Sequence, residues 1–134
     1  MEAVQLNYGA VLAAALVGFA IGGLWYSPIL FAKAWLREAG LDEAKARSAN
    51  MAKVFGLSFV CSVVMAVNLA AFIGAKASLG FGLFAGAAAG LGWVAMSLAV
   101  IYLFEQRSLK LWLINGGYQV VNYTVMGAII GAWK

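Results

Sequence analysis

Five polar side chains crowd residues 115–123: Asn115, Tyr118, Gln119, Asn122 and Tyr123. On a helix they fall within an arc of about 140°. The stretch lies inside an apolar run, and Asn122 sits about eleven residues into it, roughly 16 Å deep. Amides and phenols at that depth must find partners, because an unpaired polar group in hydrocarbon costs several kcal/mol. Asn68 lies at a comparable depth in another apolar run, and Ser62 and Ser97 are further candidates. Such groups either bond neighbouring helices together or line a polar cavity. In a cavity they suit a small neutral or zwitterionic ligand, bound by hydrogen bonds rather than charge.

Other chemistry finds little support. The chain has no histidine and one cysteine, Cys61. That removes the commonest general base and the commonest neutral metal ligand. Proton-coupled transport usually needs a carboxylate inside the membrane, and none is present; Glu105 is the nearest, beside Arg107 in a turn, and reads as half of a surface ion pair. Cys61 reads as a small buried apolar side chain. The glycines form no phosphate loop, since no strand-to-helix switch surrounds them. No catalytic residue, metal site or cofactor is expected, and the protein is read as a non-enzyme.

The elements that carry these residues are apolar helices. Of 134 residues, 65% are hydrophobic and 10% charged, with mean hydropathy +0.93. A soluble domain carries about 25% charged residues. The expectation is therefore one all-α membrane domain, residues 1–134, with four transmembrane helices at about 8–31, 54–75, 80–104 and 109–133. Each is long enough for a hydrocarbon core of about 30 Å. The stretch before the first span, from Met1 to Asn7, has no Lys or Arg, so this span reads as a retained helix and not a secretory signal. Pro28, the single proline, should end or kink it, leaving Trp25 and Tyr26 near the membrane interface.

Between the first two spans, residues 32–53 hold most of the charge. Asp42 can cap a short helix with Lys45 and Arg47 towards its end. One or two short amphipathic helices on the bilayer surface, or an ordinary solvated connector, fit equally. Net charge is +4, but no basic run with interleaved aromatics suggests nucleic acid. The nine cations sort by side instead. Lys33, Arg37, Lys45, Arg47, Lys53, Arg107 and Lys110 fall on one side, Lys76 and Lys134 on the other. Cations stay cytoplasmic, so both termini of this inner-membrane, multi-pass chain should face away from the cytoplasm.

Spans one and three share a pattern. Ala14, Gly18, Gly22 and Trp25 recur as Gly82, Gly86, Gly90 and Trp93, an offset of 68. Spans two and four align at an offset of 57, through Lys53 and Lys110, Val63-Val64 and Val120-Val121, and Ile73-Gly74-Ala75 and Ile130-Gly131-Ala132. Two parallel hairpin repeats related by an axis along the membrane normal are the natural inference. The small residues mark helix-packing faces, because close backbone approach supplies the contact that lipid does not drive. Gly127 and Gly131 form a third such pair. The simplest arrangement pairs spans one and three at the centre; alternatively one row faces a second subunit.

The block Gly23-Leu24-Trp25-Tyr26-Ser27-Pro28-Ile29-Leu30-Phe31, with Lys33 and Trp35, resembles the opening signature of a bacterial membrane family. So do Phe104-Glu105-Gln106-Arg107-Ser108 with Lys110, Ile114-Asn115-Gly116-Gly117-Tyr118, and Met126-Gly127. The family is domain of unknown function number 1761, and the resemblance spans essentially the whole chain. It implies a small multi-span membrane protein and carries no assigned activity. The leading expectation is a channel- or transporter-like protein, homo-oligomeric and surrounded by membrane lipid, with Asn115, Tyr118, Gln119, Asn122 and Asn68 as ligand or pore residues. The competing one is a structural or accessory subunit in which the same face bonds neighbouring helices.

Overall fold

The computed structural model describes residues 6–74 and 78–133. Among these there are helices and no strands. In chain order they are α1 (Tyr8–Trp25), α2 (Ala32–Ala39), α3 (Glu43–Arg47), α4 (Met51–Ile73), α5 (Leu79–Ala89), α6 (Met96–Phe104) and α7 (Leu109–Ala132). A π-helical stretch, Gly90–Ala95, joins α5 to α6, so Leu79–Phe104 is one continuous rod.

Each long helix starts on a side chain that replaces a missing backbone acceptor. Asn7 accepts from the Ala10 N–H, Asn50 from Lys53, Ser78 from Phe81 and Ser108 from Leu111. The first helix stops at Trp25, six residues short of the expected end. Proline at 28 disfavours helix at Ser27, and the chain turns there with the Ser27 hydroxyl donating to the Leu24 carbonyl at 2.7 Å. The charged connector forms two short helices, α2 and α3. Gly40 closes α2 in the left-handed region, at φ 75°, where a Cβ would be strained. Asp42 caps α3 as its position suggested.

Three of these helices are long and apolar enough to cross a membrane: Tyr8–Trp25, Met51–Ile73 and Leu79–Phe104. The sequence suggested four. Helix α7 has the length, 24 residues, but its polar face dilutes the apolar stretch below that standard. Ala75 and Lys76, at the end of the expected second span and in the turn after it, lie outside the described residues, as does Lys134.

Helix α7 is the axis of the bundle. It packs against α1, α4, α5 and α2. The small residues explain how. A Cβ on Gly82 would lie closer than 3.0 Å to the Gly127 carbonyl oxygen, and one on Gly86 equally close to that of Tyr123. Gly131 sits just as tightly against the Ser78 carbonyl. On the other side Gly18 meets Asn122 and Gly22 meets Tyr118. Position numbers rise along α1 and α5 as they fall along α7, so both run antiparallel to it. The expected central pairing of spans one and three is thus replaced: each row grips α7 rather than the other row. Composition shows that a face is small, not which helix fills it.

Ala10, Ala14 and Ala15 of α1, Ala66, Leu69, Ala70 and Ile73 of α4, Ala85, and Met126 and Ile130 form the packed core. Many large apolar side chains point outward instead, including Phe72, Phe84, Trp93 and Phe104, the last 86% exposed. Exposed apolar surface on this scale marks a membrane or partner face rather than a water-facing one. Cys61 lies on the outward side of α4 and is exposed; the expectation that it fills the core is overturned. An apolar helix turned to lipid buries only one stripe, and Cys61 is off that stripe.

Candidate functional site: a polar face divided in two

The polar face of α7 is turned inward, but its residues do not share one environment. At the end near the connector, Asn115 is partnered at both ends of its amide. Its Oδ1 accepts from the Tyr26 hydroxyl at 2.6 Å, and its Nδ2 donates to the Tyr102 hydroxyl at 2.7 Å. Tyr26 comes from the turn after α1 and Tyr102 from α6, so one amide ties three elements. Two indoles fasten the same end. Trp25 donates to the Ile114 carbonyl at 2.9 Å, and Trp112 to the Ala95 carbonyl at 2.8 Å. Ala95 lies in the π-helical stretch, where altered backbone pairing leaves carbonyls open to outside donors.

Rings pack around this network. The Tyr26 ring sits edge-on to Trp35 at 5.2 Å and to Tyr118 at 5.5 Å. Burial raises the Tyr26 phenol above its ordinary pKa of 10.0, and Tyr118 and Tyr102 raise it further. Tyr26 is therefore a hydroxyl donor at any physiological pH. Ser108 adds a bond from its hydroxyl to Glu38 Oε1, 2.6 Å, which holds α2 to the start of α7. Glu105 and Arg107 form the expected ion pair in the exposed turn, and the hydrogen bond to Glu105 raises the Arg107 guanidinium pKa.

Tyr118 marks the boundary. Its hydroxyl donates to the Gly18 carbonyl at 3.2 Å, over the space that a Cβ on Gly22 would need. One turn further on the pattern changes. Asn122 is fully buried, 0% exposed, yet neither its Oδ1 nor its Nδ2 has a partner. Gln119 Oε1 is likewise buried and unpartnered. The Asn122 amide rests against Gly18, where a Cβ would come closer than 3.0 Å to Oδ1, with the Met126 sulfur next to it.

Asn68 is not part of this face. It is exposed on α4, its Nδ2 donating to the Val64 carbonyl at 2.8 Å. It lines a groove of about 390 Å³ between α4 and α5, with Phe72, Phe84, Trp93 and Tyr123. Ser97 is also exposed and bonds its own helix at the Trp93 carbonyl, while Ser62 is buried in α4. The grouping of Asn68 and Ser97 with Asn122 by depth therefore does not hold, because depth fixes height along the bundle and not direction around a helix. Sequence reasoning missed Tyr102 and Trp112, and placed Trp25 and Tyr26 only as interfacial rings. Their signal was a hydrogen-bonding head at the same end of the bundle as Asn115. Among the described residues no three His, Cys, Asp or Glu side chains gather to hold a metal.

The fold and the site define an all-helical protein whose apolar helices are compatible with a membrane and whose polar face points inward. The chain matches a protein family of unknown function, DUF1761, over residues 9–131, and belongs to it. No curated protein and no solved structure matches it.

Proposed function

We propose that this is a four-span membrane protein, with α7 as the fourth and central span, and that it acts as a small channel- or transporter-like protein for neutral or zwitterionic solutes. The observation that carries this reading is Asn122, whose two amide atoms are buried without a partner beside Gln119 Oε1. An amide that bonds no neighbouring helix is not interhelical glue. Leaving a buried amide without a partner costs free energy, and a passing solute that hydrogen-bonds it recovers that cost. The cation distribution supports non-cytoplasmic termini in an inner membrane, and the small bundle supports a homo-oligomer that enlarges the interior. The outward groove beside Asn68 offers a face for lipid or for that second copy. Catalysis has no part in the proposal: the chain has no histidine.

A second reading has its own support. Asn115 is bonded at both ends of its amide, to Tyr26 and Tyr102, which fits an accessory subunit whose polar face only locks helices together. Cysteine labelling separates the two. In a Cys61→Ala background, Gln119→Cys and Asn122→Cys in lipid vesicles should react with a water-soluble thiol reagent if a solute path opens along α7. If neither position is labelled, the accessory reading replaces the transport one.

A further inference from the structure

We infer that the outward groove between α4 and α5 is a binding site for one neutral, lipid-soluble ring molecule that carries a hydroxyl group, a phenol in chemical class. The inference rests on the membrane reading of the helices and not on a solute path along α7, since it concerns a different face. The groove holds about 390 Å³, within the range of about 300–1,000 Å³ usual for small-molecule sites. Three elements build it. Val64 to Phe72 of α4 form one wall and Phe84 to Val94 the other, while Tyr123 of the central helix α7, half-buried against the packed core, is the third. Phe72 and Trp93 meet edge-on across it, with ring centroids 6.4 Å apart and planes at 78°. Trp93 belongs to the π-helical stretch Gly90–Ala95, and π turns recur at functional sites.

The lining selects the occupant. Phe72, Phe84 and Trp93 bring three aromatic rings to one short groove, and ring pairs gain energy beyond the area they bury. No Lys, Arg, Asp or Glu lines it, so the occupant is uncharged. Three polar groups then ask for a hydroxyl. Asn68 Nδ2 is taken by its own helix, which leaves Oδ1 as an acceptor. The Tyr123 hydroxyl and the Trp93 indole N–H have no partner among the described residues. A membrane tryptophan usually stands at the interface, but Trp93 lies near the middle of the Leu79–Phe104 rod, as Tyr123 does in α7. There no water reaches it, and an unpaired polar group is costly. A hydroxyl donates to an oxygen and accepts from an N–H, so it answers both kinds of group, whereas a lipid acyl chain answers neither. A helix of a second copy would need small residues for close backbone approach, and the rims here are the exposed rings of Phe72, Phe84 and Trp93. Val64 to Phe72 also gives the groove a length of about 12 Å, which suits a compact molecule.

Fluorine NMR of the full chain in lipid bicelles, with 5-fluorotryptophan at all five Trp positions, tests this with 2,6-dimethylphenol as the probe. The Trp93 resonance, identified by its loss in Trp93→Phe, should shift and saturate, while those of Trp25, Trp35, Trp112 and Trp133 stay in place. m-Xylene, the same ring without the hydroxyl, should bind about fivefold more weakly at equal concentration in the lipid, as expected for one lost hydrogen bond. Asn68→Leu should weaken phenol binding by about as much. Ala88→Leu fills the groove from an exposed position and should abolish the Trp93 shift, with the other four resonances unchanged as the mark of an intact fold. A Trp93 shift that rises linearly with phenol, as in simple partition into the bilayer, overturns the site, and so do equal affinities for phenol and xylene. A Trp93 resonance that moves with the protein-to-lipid ratio and ignores the phenol gives the groove to a second copy and overturns it as well. None of these readings depends on solute flux, so failure of this site and failure of the transport reading are distinguishable.

Discussion

Asn115 and Asn122 are the same residue type on the same face of the same helix, two turns apart, and they do opposite things. Asn115 spends both ends of its amide on protein, between Tyr26 and Tyr102. Asn122 is more deeply buried and spends neither. The difference lies in what each meets across the interface. Around Asn115 the neighbours are large aromatics with polar heads, supplied by the α1–α2 turn and by α6. Across from Asn122 lies Gly18, which packs closely and has no side chain to offer, and the Met126 thioether of α7 next to it is only a weak acceptor. A polar residue inside a helical bundle is therefore a fastener only where the facing helix carries a matching group. Where the facing residue is glycine, it remains chemically available.

Both regions depend on α7 being held in place, and the largest effect should come from breaking that grip. Gly82→Leu pushes a side chain into the Gly127 backbone, which cannot move aside as a flexible side chain would. A cost of about 3 kcal/mol or more is expected, seen as loss of the folded protein in detergent, with both polar regions lost together. Asn115→Leu is next. It strands the Tyr26 and Tyr102 hydroxyls, at about 1–3 kcal/mol, and should lower the unfolding midpoint and alter the fluorescence of neighbouring Trp25. No loss of stability there would erase the contrast with Asn122. Gly18→Ala forces the Asn122 amide to shift and should cost about 1–3 kcal/mol. Gly23→Ala, five residues on with open space around it, should be neutral or gain up to about 1 kcal/mol. Equal behaviour of the two alanines would mean that the close approach at Gly18 is not a constraint.

The smallest effect is a pH dependence confined to the Asn115 region. Folding raises the Tyr26 pKa above its ordinary 10.0. The stability that this protonated phenol contributes is therefore complete below pH 10 and is lost as pH rises through the higher folded value. Unfolding midpoints of the wild type should hold constant from pH 6 to about 9 in this respect and decline in strong alkali. Tyr26→Phe should remove its share of that decline.

Much of the scaffold was legible beforehand. Apolar runs gave the long helices, Asp42 its cap, Pro28 the end of α1, and the small residues the faces on which helices approach. What was not legible was who meets whom. Tyr26 and Asn115 lie 89 residues apart in the chain, and no spacing rule reaches across that distance. The glycine rows of α1 and α5 resemble one another, which suggested that they pair, whereas their shared feature is a common partner in α7. Asn68 and Cys61 were placed by depth and hydropathy alone, and the structure turns both outward. The inward face of α7 could be read as an arc. Its division into a partnered end and an orphaned end could not, since that depends on the residues opposite.

Solute flux through proteoliposomes carrying Asn122→Leu, with wild type and Asn115→Leu alongside, tests the central contrast most directly. Stopped-flow light scattering after a jump in a small neutral solute such as glycerol gives the rate. Asn122→Leu is expected to stay folded and to lose protein-dependent flux by about tenfold, the equivalent of 1.4 kcal/mol, whereas whatever Asn115→Leu protein remains folded should conduct like wild type. Wild-type flux in Asn122→Leu, or a loss confined to Asn115→Leu, would contradict the assignment of the two amides.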